Sequence, residues 1–357
     1  NASKDEFGTS LYNVGDGEYQ TIDSVSRKSE FYRFIHAPYV VLAGSKRKLG
    51  YQFGLRTEFT NRNTTIVGED EEYPIDRIDL FPSVHFSYEL PKKHSLMASY
   101  SRRIQRSRPW ELEPYVTARD QWNYRSGNPN IAPEYIDAFE VGYQHRFDKI
   151  FFSAETYYRY THDKVERIRQ AYPEKGPGVT LQIPENVGTD QSFGVEFMTK
   201  SKVMQWWDIS LMGNLYDYRV QGEFVDYINN KTYSFDNAST NYTIRLNQTF
   251  SVVENTKVQF NSSYNSPTAS AQGRRSGFVN FNASIRTEVL EKKLALNLQF
   301  RNLFATALHK SVSYGPNFES RSKMIMAGPV VKFTATYKLN NYKARSKKER
   351  GSSSGDE

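Results

Sequence analysis

Cysteine is absent from the 357 residues. A disulfide framework and a thiolate metal site are therefore excluded, and the compartment is left open. Histidine offers little more for metal chemistry. The six residues His36, His85, His94, His145, His162 and His309 include no pair at i,i+2 or i,i+4 spacing, so no zinc site is expected. No run approaches the roughly 18 apolar residues that a membrane-spanning helix needs. A Gly-x-Ser-x-Gly elbow, a P-loop and a Rossmann glycine fingerprint are all missing. No catalytic residue is assigned, and no enzyme activity, metal or cofactor is expected. The chain opens on Asn1 with no Met-initiated signal peptide, and reads as processed or as a cropped fragment.

Aromatic side chains are abundant instead, with 25 Tyr and 23 Phe. Tyr and Phe alternating with Thr, Ser and Asn suit strands that have one apolar and one polar face. The low mean hydropathy is no obstacle to a membrane barrel, because half of each strand faces a wet lumen. The net charge of +7 is spread along the chain apart from a local cluster at Arg102, Arg103, Arg106 and Arg108. Without an RNA- or DNA-binding motif, no nucleic-acid partner is expected.

Residues 1–30 are polar and read mostly as loop, with Phe7 to Tyr12 as a possible strand remnant. From Phe31 the pattern is regular. Tyr51, Phe53, Leu55, Thr57 and Phe59 alternate with Gln52, Gly54, Arg56 and Glu58. Leu294, Leu296, Leu298 and Phe300 face away from Ala295, Asn297, Gln299 and Arg301. Such alternation gives each strand a greasy and a polar side. Connections alternate as well. Short ones fall near 44–48, 90–94, 147–150, 201–205, 253–256 and 289–293. Long ones fall near 13–30, 61–76, 101–136, 161–187, 216–240, 265–277 and 305–324. All the long loops then lie on one side of the sheet, as in outer-membrane barrels.

The fold class is thus all-β: an antiparallel transmembrane β-barrel over residues 31–339, with about 13–14 strands present. The last strand, from about Met324 to Leu339, descends to the short-turn side, which puts the C-terminus in the periplasm. Residues 340–357 form a basic, Ser/Gly-rich tail expected to be disordered. The acidic run Glu69-Asp70-Glu71-Glu72 reads as a solvated charge cluster.

The least ordinary stretch runs from Tyr100 to Tyr143. Within it, Pro129 and Pro133 fix their own φ and push Asn128 and Ala132 towards extended conformations, making a stiff bracket into the next strand. The bracket Asn128-Pro129-Asn130-Ile131-Ala132-Pro133-Glu134, followed by Glu140-Val141-Gly142-Tyr143, resembles the "N-P-x-L-x-P-E … E-x-G" signature of TonB-dependent outer-membrane receptors. Ile131 stands where that family usually has Leu. The arginine-rich run before it looks like that of the outer membrane protein β-barrel branch. Further on, Asn302-Leu303-Phe304 resembles the "N-L-F" before the final hairpin of the same receptors.

The resemblance implies a larger, 22-stranded barrel in the Gram-negative outer membrane. It also implies a plug domain and contact with TonB through an upstream part not in this chain. Such receptors bind a scarce small-molecule, glycan or peptide nutrient at the extracellular loops and import it with energy from the inner membrane. Trp110, Tyr115, Trp122, Tyr124 and Arg125 are the candidate ligand-binding residues, since aromatic planes beside charged donors suit capture of a sugar, peptide or chelate. The same side chains also suit, and more commonly serve, packing loops together or anchoring at the membrane interface. A self-contained porin-like channel and a non-transporting surface-binding barrel remain the alternatives.

Overall fold

Alternation of β-branched and aromatic residues with small polar ones produces strands here almost without interruption. The computed structural model describes residues 2–7, 10–13, 18–21, 27–66, 71–227 and 230–339, with side chains from residue 29 onward. The expected C-terminal tail, together with Glu69 and Asp70, lies outside the described residues. Fifteen strands build the wall: β1 (Ala2–Phe7), β2 (Arg27–His36), β3 (Tyr39–Lys46), β4 (Leu49–Ile66), β5 (Ile75–Leu90), β6 (His94–Gln105), β7 (Glu134–Phe147), β8 (Ile150–Ala171), β9 (Thr180–Met204), β10 (Trp207–Asp226), β11 (Lys231–Val253), β12 (Thr256–Asn265), β13 (Phe278–Val289), β14 (Leu294–Arg301) and β15 (Val330–Tyr337). They pair antiparallel in a meander, except that β2 and β3 lie end to end and both pair with β4.

β2 and β3 are one rail. Both pair with β4 on a single register, His36 opposite Phe59 and Tyr39 opposite Arg56. The break at Ala37–Pro38 falls where proline has no N–H to give, although Pro38 O still accepts from Thr57 N at 3.0 Å. β1 pairs with the far end of this rail, from Ala2 opposite Tyr32 to Phe7 opposite Arg27. Part of the region expected to be loop is therefore sheet. Ser10–Asn13 and Glu18–Thr21 form a separate hairpin.

Short turns close one rim, with Arg47 and Asp148 at φ of 57° and 43°, the left-handed geometry that tight hairpin turns require. Ladder partners then carry a single chemistry across the wall. Phe53, Val84, Tyr100, Phe139, Tyr158 and Phe193 are successive partners on one face, and Phe139 and Phe193 are among the exposed large hydrophobics. Gln52, His85, Ser99, Glu140 and Tyr157 form the corresponding row on the other. One face suits lipid and the other water, and the sheet does not close on itself among the described residues.

The opposite rim departs from expectation. The expected loops 161–187 and 216–240 are mostly ladder: β8 and β9 stay paired out to Ala171 and Thr180, and β10 and β11 out to Asp226 and Lys231. Hydrophobic alternation stops where both faces become wet, but the backbone ladder continues in register. Gly188 sits opposite Gly222 in this extension, at φ 142°, where a Cβ would meet Gln221 O at 2.4 Å. Only glycine permits that approach.

The expected loops 265–277 and 305–324 together fold into a small four-stranded sheet, Thr268–Ser270, Gly273–Arg275, Leu308–Gly315 and Phe318–Ile325. The expected last strand is consequently two pieces, since Phe318–Ile325 belongs to this flap and only β15 to the wall. Two small cores seal the rim. Phe31, Leu112 and Ile131 pack with Val165, and Ile168, Val187 and Phe224 pack with Ala271 of the flap. Leu112 and Ile168 are fully buried, each contributing about 1.5–3 kcal/mol by removal from water.

Candidate functional site

The long stretch between β6 and β7 is anchored to the β8–β9 finger by the backbone. Asn123–Arg125 pairs in parallel with Thr180–Gln182 and antiparallel with Thr117–Ala118. Trp122 O accepts from Thr180 N at 2.9 Å and Gln182 O accepts from Ser126 N at 3.0 Å. This docking brings the loop aromatics against basic residues of the finger. Trp110 lies under two guanidinium groups, Arg167 at 4.8 Å and Arg125 at 5.1 Å from its ring centroid, a cation–π arrangement. Arg125 Nε donates to Thr117 Oγ1 at 3.1 Å. Tyr124 meets Tyr172 edge to face at 5.8 Å.

The remaining candidates lie apart. Trp122 is 52% exposed at the tip, and Tyr115 turns to Glu113, donating to Oε2 at 2.8 Å. Trp110, Tyr124 and Arg125 thus belong to one cluster, while Tyr115 and Trp122 flank it. Arg119, Arg167 and Arg169 belong to the cluster too. Arg169 Nη1 donates to Asn123 Oδ1 at 2.6 Å and Thr180 Oγ1 at 2.8 Å. Burial, reinforced by Arg119, holds its pKa below the usual arginine value. Sequence reasoning missed Arg167 and Arg169 because they sit in what reads as loop 161–187. Their alternation with Ile168 was the available signal.

Hydrogen bonds fix the proline bracket at nearly every residue. Gly127 N donates to Glu113 O at 2.8 Å and Asn128 N to Glu111 O at 2.7 Å. Asn128 Nδ2 reaches Pro184 O at 3.2 Å, and Pro129 O accepts from Arg62 at 2.6 Å. Asn186 clamps both backbone groups of Ala132, at 2.8 and 3.1 Å. Past Pro133, Glu134 is 3% exposed and accepts from Val165 N at 2.8 Å, with Lys164 Nζ at 3.2 Å and Gln105 Nε2 at 2.5 Å. Lys164 also reaches Asp190 at 3.1 Å. Burial lowers the Lys164 pKa, but the two carboxylates outweigh it and leave the value raised.

The second motif performs the same service for the flap. Asn302, at φ 51°, receives Ala307 N on Oδ1 at 3.0 Å and donates Nδ2 to Met326 O at 3.1 Å, tying both ends of the flap hairpin to the wall. Leu303 N donates to Phe281 O at 2.8 Å, and Phe304 packs edge to face on Phe281 at 5.2 Å.

Between finger and flap lies a cavity of about 520 Å³, lined by Glu134, Lys164, Glu166, Arg167 and Arg169 on one side and by Arg274 and Arg275 on the other. Burial raises the Glu166 pKa, with Lys164 and Arg275 opposing. Gln272 joins the two sides, accepting from Arg169 N at 2.7 Å and donating to Arg169 O at 2.8 Å. A larger, more apolar space of about 740 Å³ separates the flap from Phe224, Tyr233 and Phe235. Among the described residues no cluster of metal-ligating side chains is found.

An amphipathic antiparallel meander with tight turns on one rim and anchored loops and a flap on the other defines an outer-membrane β-barrel wall. The sequence matches the outer membrane protein beta-barrel family over residues 3–337, and the chain belongs to that family. No curated protein matches. Among solved structures the chain resembles the copper transporter OprC, at 14% identity and a TM-score of 0.57, covering 91% of this chain and 52% of that one. It also resembles the siderophore receptor PiuA from Acinetobacter baumannii, at 16% and 0.57, covering 84% and 43%. A third is the siderophore receptor PirA from Pseudomonas aeruginosa, at 15% and 0.50, covering 78% and 54%. At such identities the likeness is one of fold, that of TonB-dependent receptor barrels. The chain spans about half the length of these structures.

Proposed function

We propose that the chain forms part of an energised outer-membrane importer that captures a scarce solute at its long-loop rim. In this reading the long loops are extracellular, the C-terminus is periplasmic, and a plug domain in the rest of the protein couples the barrel to TonB. The observation that carries it is the docking of the β6–β7 stretch onto the β8–β9 finger. It gathers Trp110, Tyr124 and Arg125 with Arg167 and Arg169 above a polar cavity on the lumen side.

Trp110, Trp122 and Arg125 are proposed to lie nearest the solute, because aromatic and arginine anchors dominate binding energy. The test is replacement of residues 119–122 by two glycines, which spares the Gly127–Glu113 backbone bond. Loop tips tolerate such changes, so insertion should be normal. Uptake of the native solute should fall at least about tenfold, equivalent to one hot-spot contact of about 1.4 kcal/mol. Unchanged uptake by an inserted variant would mean that the loop tip with Trp122 takes no part in capture.

A further inference from the structure

Arginines continue beyond the rim cluster. Arg119 and Arg125 stand on the β6–β7 stretch, Arg167 and Arg169 on β8, and Arg274 and Arg275 on the flap. Arg167, Arg169, Arg274 and Arg275 line one cavity. Arg119 feels both Arg125 and Arg167, and Arg169 feels Arg119. Six guanidinium groups thus form a track from the loop tip into the lumen mouth.

The neighbouring acids offset it only in part. Glu111 is committed to Arg167 at 2.8 Å, and Glu134 to Lys164 at 3.2 Å. Burial raises the Glu166 pKa, while Lys164 and Arg275 oppose the shift. Asp120, beside Arg119, accepts from Trp122 N, Asn123 N and Asn123 Nδ2 at 2.8–2.9 Å, bonds that lower its pKa and leave it one charge against the arginines. Among the described residues, Arg119, Arg125, Arg169, Arg274 and Arg275 have no carboxylate within 4.0 Å. Arg119, Arg274 and Arg275 are exposed.

We propose that this track selects and binds a small soluble solute carrying two or more carboxylate, sulfate or phosphate groups. The proposal rests on the reading of the rim as a site of solute capture and names the class of solute. A guanidinium fork matches an oxyanion with two parallel hydrogen bonds. Arginines on three separate elements call for more than one such group on the ligand. The cavity of about 520 Å³ is of the size that encloses a small molecule. It opens on the lumen side, because Tyr216 and Tyr218, which help line it, alternate with exposed Leu215 on the lipid face. One sign of charge along a cleft also concentrates and steers an ion of the other sign.

The experiment places the full-length protein in neutral phosphatidylcholine nanodiscs. It is titrated with citrate and tripolyphosphate as probes and with raffinose as an uncharged control, followed by tryptophan fluorescence. Both anions should bind and raffinose should not, and affinity should drop about tenfold between about 50 and 300 mM salt. Arg274→Gln/Arg275→Gln, on exposed side chains, should weaken anion binding at least about fivefold, and adding Arg119→Gln/Arg125→Gln should weaken it further. Arg286→Gln, at the opposite rim and paired with Glu288 at 3.0 Å, should change nothing.

Anion binding unaltered in the folded flap variant, or raffinose bound as tightly as citrate, overturns the proposal. Competition for the probes by lipid A vesicles would show a headgroup site and overturn the assignment to a soluble solute. Replacement of residues 119–122 separates this failure from failure of the underlying reading. If it abolishes native uptake while the arginine variants do not affect it, capture at the rim stands and the anionic class falls. If neither affects uptake, both fall.

Discussion

Glu185 has one carboxylate oxygen with no hydrogen-bond partner, in a side chain that is 8% exposed. Burial pushes its pKa up to about 7, although Tyr227 and Val225 N donate to it. The folded value lies above the unfolded carboxylate range near 4.3, so the fold prefers the neutral form. Packing of the β8–β9 finger tip against the end of β10 is therefore complete at low pH and weakens as pH rises from about 4.3 through 7. Amide protection at this tip, corrected for intrinsic exchange, should fall at least about tenfold between about pH 5.5 and 8.5, and Glu185→Gln should flatten the difference. An equal pH response in the variant would dismiss Glu185 as the cause. Glu134 is the opposite case, a buried carboxylate fully engaged. Glu134→Ala strands Lys164 beside Asp190 alone and should cost about 3 kcal/mol in urea unfolding from lipid vesicles. Glu134→Gln, which can still accept from Val165 N, should cost clearly less. Matching losses would mean that the ion pair contributes little. The sequence singled out Glu134 and the prolines correctly as a constrained unit, but by ring stiffness. The structure adds the larger part, the hydrogen bonds from Arg62 and Asn186, whose partners lie more than fifty residues away and leave no local sign.

Elements were legible wherever lipid imposes a period. All six short turns fall where alternation breaks, because the apolar face must end at the membrane boundary. Beyond that boundary both faces are wet, the period disappears, and ladder looks like loop. This hid the upper halves of β8 to β11 and the whole flap, whose strands pair across more than thirty residues. Lipid-face assignments inside the boundary have a direct consequence. Leu298 pairs with Ile285 and Phe333, and Gln299 with Ser284 and Lys332. Leu298→Arg should cost about 2–4 kcal/mol, as arginine does near the bilayer midplane, while Gln299→Arg should be nearly neutral. Folded fraction in vesicles, read from the heat-dependent gel shift, decides between them. Equal tolerance would mean that the two faces are exchanged.

At the scale of the whole molecule, the two free edges determine what else the barrel must contain. β3 descends to the turn at Arg47–Lys48, and β15 descends beside the ascending β14. Both edges therefore run the same way, and β1 reaches only the upper end of the first, opposite Arg27–Tyr32. Joining β3 directly to β15 would make a parallel seam in an otherwise antiparallel wall. An odd number of strands between β3 and β15, β1 counted among them, removes that conflict. In lipid an open edge leaves a row of backbone groups unsatisfied, so closure is compulsory. We infer that the remainder of the full-length protein supplies the rest of those strands, in keeping with a chain about half as long as the structures it resembles. A natural absence makes the test clean, since the introduced cysteines are the only ones in this chain. In outer membranes holding the full-length protein, Leu298→Cys with Phe333→Cys, ladder partners at a Cβ spacing of about 5 Å, should cross-link with a short bismaleimide. Val41→Cys with Phe333→Cys should not, because several strands at about 4.8 Å each would separate them. Efficient coupling of the second pair would make the wall self-closing, replace the energised receptor by a porin-like channel, and leave the plug without a role.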